Sequence, residues 1–160
     1  LTGRLAHCSL LASLFYLFSK HDMELAQQVL ERVDLIDKAW SRVDKLSGGQ
    51  QQRVGVARAL AQQPGIILAD EPVASLDPVS SEEIMTLLRE ICKVDGITVV
   101  VNLHQVELAR RFADRIVGLN NGRIVFDDKP QQMTQSALNT IYQRGGSDRD
   151  KRDELALAYA

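Results

Sequence analysis

Residues 46–53 read LSGGQQQR and residues 66–72 read IILADEP, and these two runs, in this order, decide the fold. The first places Ser47, Gly48 and Gly49 at the start of a helix, where backbone N–H groups can hold a phosphate. The second ends an apolar strand in two adjacent carboxylates, Asp70 and Glu71. One suits a metal ion and the other a water molecule. Open α/β sheets bind ligands at the carboxyl ends of their strands, which is where this pair stands.

Between the two runs, residues 50–63 form a helix rich in Gln, Arg and Ala, stopped by Pro64-Gly65. Downstream, Asp77 caps a helix with Pro78 at its first position. Glu82 and Glu83 are expected in its first turn, and Ile84, Leu87, Leu88 and Ile91 carry the helical repeat. Gly96 breaks the chain before a second apolar strand over residues 97–101, and a helix follows from about His104 to Ala113. Strand, helix, strand, helix implies an α/β fold with parallel strands joined by right-handed crossovers. The segments 115–119 and 123–126 then flank Asn120-Asn121-Gly122, a hairpin signal. A helix over residues 130–142 closes the domain. From Gly145 on, Gly-Gly-Ser and the dense charges of 148–154 predict a disordered tail over 145–160.

Upstream, Met23, Ala26, Leu30 and Val33 put one apolar stripe on a helix over about 22–35. Residues 5–18 are strongly apolar but shorter than the ~20 residues of a membrane span, and they contain His7, Ser9 and Ser13. They predict a helix packed on protein, and their Leu and Phe content fits a partner-facing surface.

A chain of 160 residues, 45% hydrophobic and 25% charged, suits one globular domain. Its formal charge of -2 does not point to nucleic acid. Cys8 and Cys92 lie far apart and read as reduced structural thiols.

Alone, Ser-Gly-Gly is usually just a helix start, an Asp-Glu pair means little, and a histidine past a strand is usually structural. Here LSGGQ precedes QQR and ARAL, and ADEP leads into Ser75-Leu76-Asp77. His104 follows the second strand. This set resembles the ATP-binding subunits of ABC transporters, over about residues 1–144. The resemblance implies a partial P-loop NTPase core over 64–144 with a C-terminal β-hairpin. It also implies an α-helical subdomain over 1–63 that carries the signature motif. Within the resemblance, Ser47, Gly48, Gly49 and Gln50 would bind the γ-phosphate of an ATP held by a second copy of the subunit. Asp70 would hold Mg²⁺, Glu71 would act as general base, His104 would contact the γ-phosphate and orient Glu71, and Asp77 would reach across the dimer.

The implied partners are that second copy, integral membrane permease subunits and, indirectly, an external solute-binding protein, at the cytoplasmic face of the bacterial plasma membrane. The run Asn102-Leu103-His104-Gln105 departs from the Thr-His-Asp of most importer ATPases and is similar to the ATPases of phosphonate importers. No glycine here is followed by Lys and then Ser or Thr, so GxxxxGK[ST] does not occur. In the family that loop and the glutamine loop come earlier, so the chain is expected to be a fragment, inactive by itself. The competing expectations are a non-transport ABC ATPase and a truncated module that only binds partners.

Overall fold

The computed structural model describes residues 1–7, 14, 15 and 17–142, together with the backbone of Leu155–Tyr159. It falls into two compact units: Leu1–Gly65 with Ser75–Ile84, and Ile66–Ala74 with the chain from Met85 onward.

The first unit is helical. Helix α1 spans Lys20–Arg32, and Ser19 closes a capping box with Asp22 at its start. Two short 3-10 turns, Ile36–Lys38 and Val43–Lys45, lead to helix α2, Gly48–Leu60. Val33, Leu35, Ala57, Leu60 and Ala61 are buried. Two arginines tie off helix ends that would otherwise leave bare carbonyls. Arg4, on an N-terminal 3-10 turn (Thr2–His7), donates from Nε to Asp22 at 2.8 Å and from Nη1 to the Ala61 carbonyl at 3.2 Å. Arg53 donates to the Val33 carbonyl and to Glu83, each at 3.1 Å. Of the apolar stretch 5–18, residues 8–13 and 16 lie outside the described residues, so its expected helix is not described here, and Cys8 falls there too. Leu14, Phe15 and Leu17 are exposed.

The second unit is built on a five-stranded sheet, in the order Ile66–Asp70, Thr98–Leu103, Leu155–Tyr159, Arg115–Asn120, Arg123–Asp128. Strands β1 (Ile66–Asp70) and β2 (Thr98–Leu103) pair in parallel, with Asp70 opposite Asn102. Helix α3, Pro78–Asp95, lies between them in sequence. Ile84, Leu88 and Ile91 are fully buried on it, as the spacing predicts. Helix α4 (Val106–Phe112) follows β2 and buries Ala109 and Phe112. Strands β3 (Arg115–Asn120) and β4 (Arg123–Asp128) form the expected hairpin. Asn121 at φ 50° and Gly122 at φ 72° make its turn. A 3-10 turn, Pro130–Gln132, and helix α5, Gln135–Tyr142, complete the unit.

Three expectations need correction. The tail was expected to be disordered throughout, but its backbone forms strand β5, Leu155–Tyr159, antiparallel to both β2 and β3. Residues 155–159 read LALAY, an apolar run hidden behind the charges of 148–154. Residues 143–154 lie outside the described residues. Glu82 and Glu83 lie beyond the first turn of α3, which contains no acid. Glu83 answers Arg53 instead of the helix dipole. Finally, Ser75–Ile84 groups with the helical unit and not with the core. Leu76 lies against Gly48 and Glu83 bonds Arg53, which explains the grouping.

Candidate functional site

In the helical unit, Ser47 is the N-cap of α2. Its Oγ accepts from the Gln50 N–H at 3.3 Å, and Gln50 Oε1 accepts from the Ser47 N–H at 3.0 Å. This reciprocal box uses the third N–H of the helix and leaves those of Gly48 and Gly49 without an intrahelical partner. Ser47 and Gly48 are exposed and Gly49 is half-buried, at the positive end of a 13-residue helix. A Cβ on Gly48 would stand 3.1 Å from Leu76 Cδ2, and one on Gly49 would stand 3.4 Å from Ser80. Gly48 therefore answers to packing as well as to ligand access.

Those contacts bring the start of α3 beside the start of α2. Asp77 caps α3: its Oδ1 accepts from the N–H groups of Val79 and Ser80 at 3.0 Å, and its Oδ2 accepts from the Ser80 hydroxyl at 2.6 Å. The Ser80 hydroxyl, then the backbone donors, hold the Asp77 carboxyl below the usual carboxylate range.

In the sheet unit, β1 ends at Asp70 and the chain turns sharply. Glu71 adopts φ 44°, a left-handed conformation that is strained for a non-glycine residue and accumulates at functional sites. Its N–H donates to the Asn102 carbonyl at 3.1 Å, and its own carbonyl accepts from Ala74 N–H at 3.2 Å. His104 stands just past the end of β2, and its Nε2 lies 2.6 Å from Glu71 Oε1. A carboxylate only accepts, so Nε2 is the donor in this pair. Both side chains are about two-fifths exposed, open to solvent yet fixed against each other. Beside them lies a cleft of about 180 Å³ lined by Glu71, Val73, Ala74, Leu103, His104 and Gln105.

Asp70 is exposed, and Asn102 Nδ2 donates to its Oδ1 at 2.9 Å. Among the described residues no cluster of three or more His, Cys, Asp or Glu stands ready to cage a metal. One carboxylate with a free oxygen suits a hard cation that keeps several waters and takes its other ligands from substrate phosphates. The donor set fits that mode.

The eight residues expected to carry chemistry thus form two groups. Ser47, Gly48, Gly49, Gln50 and Asp77 stand together in one unit, and Asp70, Glu71 and His104 in the other. Sequence reasoning missed Asn102. Its signal was visible: a lone amide in the β-branched run TVVVNL.

Known proteins resemble this chain in sequence and in fold. The family model described as ABC transporter matches residues 6–74. The phosphonates import ATP-binding protein PhnC of Thiobacillus denitrificans is 69% identical over 160 residues, which is 100% of this chain and 62% of that protein. The phosphite import ATP-binding protein PxtA of Stutzerimonas stutzeri is 65% identical over 142 residues, 89% of this chain and 51% of its own length. The chain therefore spans about three-fifths or less of these relatives. Among solved structures, a metal-chelate type ABC transporter in an inward-facing conformation superposes with a TM-score of 0.81 at 26% identity, over 98% of this chain and 62% of that one. The dimeric post-hydrolysis state of the ATP-binding cassette MJ0796, bound to ADP and Pi, gives 0.60 at 41% identity, over 72% of this chain and 50% of that one. The chain is thus similar, over all or most of its length, to the ATP-binding subunits of ABC transporters.

Proposed function

We propose that this chain is part of an ATP-hydrolysing subunit that energises an ABC importer for phosphonates or a closely related phosphorus oxyanion. The observation that carries the reading is the Glu71–His104 pair, 2.6 Å apart at the carboxyl edge of a parallel strand pair. Glu71 accepts the proton of the attacking water, and His104 fixes the carboxylate by its hydrogen bond. Asp70 takes Mg²⁺ through its free oxygen, directly or through a metal-bound water. That ion, when bound, neutralises charge developing on the phosphates. Ser47, Gly48 and Gly49 supply donors to the γ-phosphate of a nucleotide held by a second copy. The MJ0796 cassette is dimeric in its post-hydrolysis state, which supports that part of the reading.

Solute preference rests on the relatives, two of which are named for phosphonate and phosphite import. The ATPase chemistry itself does not touch the solute. No described helix is long and apolar enough to cross a membrane. In this reading the spanning partners are separate permease subunits, at the cytoplasmic face, and exposed Leu14, Phe15 and Leu17 contribute to the surface that meets them.

The test is Glu71→Gln in the full-length protein. Removing a general base lowers turnover by about 10²–10⁴-fold, while nucleotide binding is retained. Hydrolysis near the wild-type rate would remove Glu71 from its role and with it the reading.

A further inference from the structure

We propose that Asn102 is a positioning residue that sets which oxygen of Asp70 is offered to the divalent cation. This rests on the reading of Asp70 as the carboxylate that takes the metal.

Strand β2 reads TVVVNL, and its burial alternates between half-buried and fully buried positions. Asn102 falls on the half-buried face, directly opposite Asp70 in the parallel register. Its Nδ2 donates to Asp70 Oδ1 at 2.9 Å. Among the described residues this is the one side-chain hydrogen bond made by Asp70. It occupies one carboxylate oxygen and stops rotation of the group, leaving Oδ2 free.

The same residue also acts through its backbone. The Asn102 carbonyl accepts from the Glu71 N–H at 3.1 Å, at the point where Glu71 takes its left-handed φ of 44°. Two residues on, His104 reaches the Glu71 side chain. One short segment of β2 and its edge thus addresses both carboxylates in turn, and Asn102 is the member that addresses Asp70.

A purely structural role does not account for the amide. Asn102 Oδ1 is shielded from solvent and has no hydrogen-bond partner among the described residues. A shielded, unpaired acceptor costs free energy. Leucine, of similar shape, would remove that cost and suit an apolar strand better. The half of the amide that is satisfied is the half that holds Asp70.

The experiment uses the full-length protein, Mn²⁺ as the probe ion, and a non-hydrolysable ATP analogue. Bound Mn²⁺ is counted by electron paramagnetic resonance, which does not depend on turnover. Asn102→Leu is expected to raise the half-saturating Mn²⁺ concentration about tenfold, the scale of one hydrogen bond to a charged group. Its melting temperature is expected to be equal to or above wild type, and analogue affinity without metal unchanged. Should Asn102→Leu fail to fold, Asn102→Ser removes the amide without added bulk and carries the same expectation. In an Asp70→Asn background, Asn102→Leu should change Mn²⁺ binding by less than twofold, because the two residues act as one unit.

Unchanged Mn²⁺ affinity in Asn102→Leu, with or without a lowered melting temperature, overturns the positioning role and leaves the ATPase reading standing. Wild-type protein that binds the analogue but gains no Mn²⁺ site overturns both.

Discussion

The start of α2 and the edge of β1 and β2 make opposite chemical offers. The helix start presents donors: two free N–H groups, a serine hydroxyl and the positive end of the helix dipole. The strand edge presents acceptors: Asp70 and Glu71, each held by one neighbour, Asn102 or His104. The donor end is built from local sequence alone, because Ser47 and Gln50 close their box within four residues. The acceptor end depends on pairing across 32 or 33 residues of chain. With the proposed roles, the donor set lacks a base and the acceptor pair lacks phosphate donors among the described residues, so each alone is incomplete for hydrolysis. Complementary halves of this kind suit a nucleotide that is shared.

The largest effect should come from breaking the acceptor end. Glu71→Gln keeps shape and removes the proposed base, so turnover should fall while nucleotide binding holds. At the donor end the effect should be smaller and mixed, because Ser47 is both cap and proposed ligand. Ser47→Ala should cost about 1 kcal/mol of stability, the usual worth of an N-cap, read as a lowered urea midpoint, and should also slow hydrolysis. Ser47→Asp sharpens the distinction. Aspartate still caps the helix, so stability should hold, while its charge repels a phosphate and hydrolysis should fall. If Ser47→Asp kept both stability and hydrolysis, Ser47 would be a cap alone.

A smaller effect should appear in acid. The Ser19 hydroxyl, then the Arg4 guanidinium, hold the Asp22 carboxyl at about 2 against an ordinary 3.8. A depressed folded-state value stabilises the fold above the unfolded value and loses that contribution as pH falls through the folded one. The helical unit should therefore lose stability between about pH 4 and pH 2. Circular dichroism during urea titration at several pH values should show a shallower acid slope for Asp22→Asn. An unchanged slope would remove the Asp22 carboxylate as its source.

The donor end was legible in the sequence because caps and glycine loops are local. Ser47, Gln50 and the Asp77–Pro78 start all lie where the residue types place them. The parallel pairing of β1 and β2 and the hairpin at Asn121-Gly122 were legible for the same reason: apolar runs bounded by breakers. Register was not legible. Nothing in the sequence states that Asp70 stands opposite Asn102, so Asn102 reads only as part of the run before His104 and gains no role of its own. Strand β5 was hidden by its neighbours, since seven charge-rich residues outweighed the five apolar ones that follow. The arginine clamps, Arg4 on Ala61 and Arg53 on Val33, join residues 57 and 20 positions apart and left no local trace.

The central claim is that the donor end of one copy and the acceptor end of another hold the same nucleotide. Full-length Glu71→Gln protein, studied by light scattering after gel filtration, tests it most directly. The account predicts a dimer in ATP and a monomer without it, and predicts that adding Ser47→Arg abolishes the ATP-dependent dimer. A dimer that forms equally well with Ser47→Arg would contradict it.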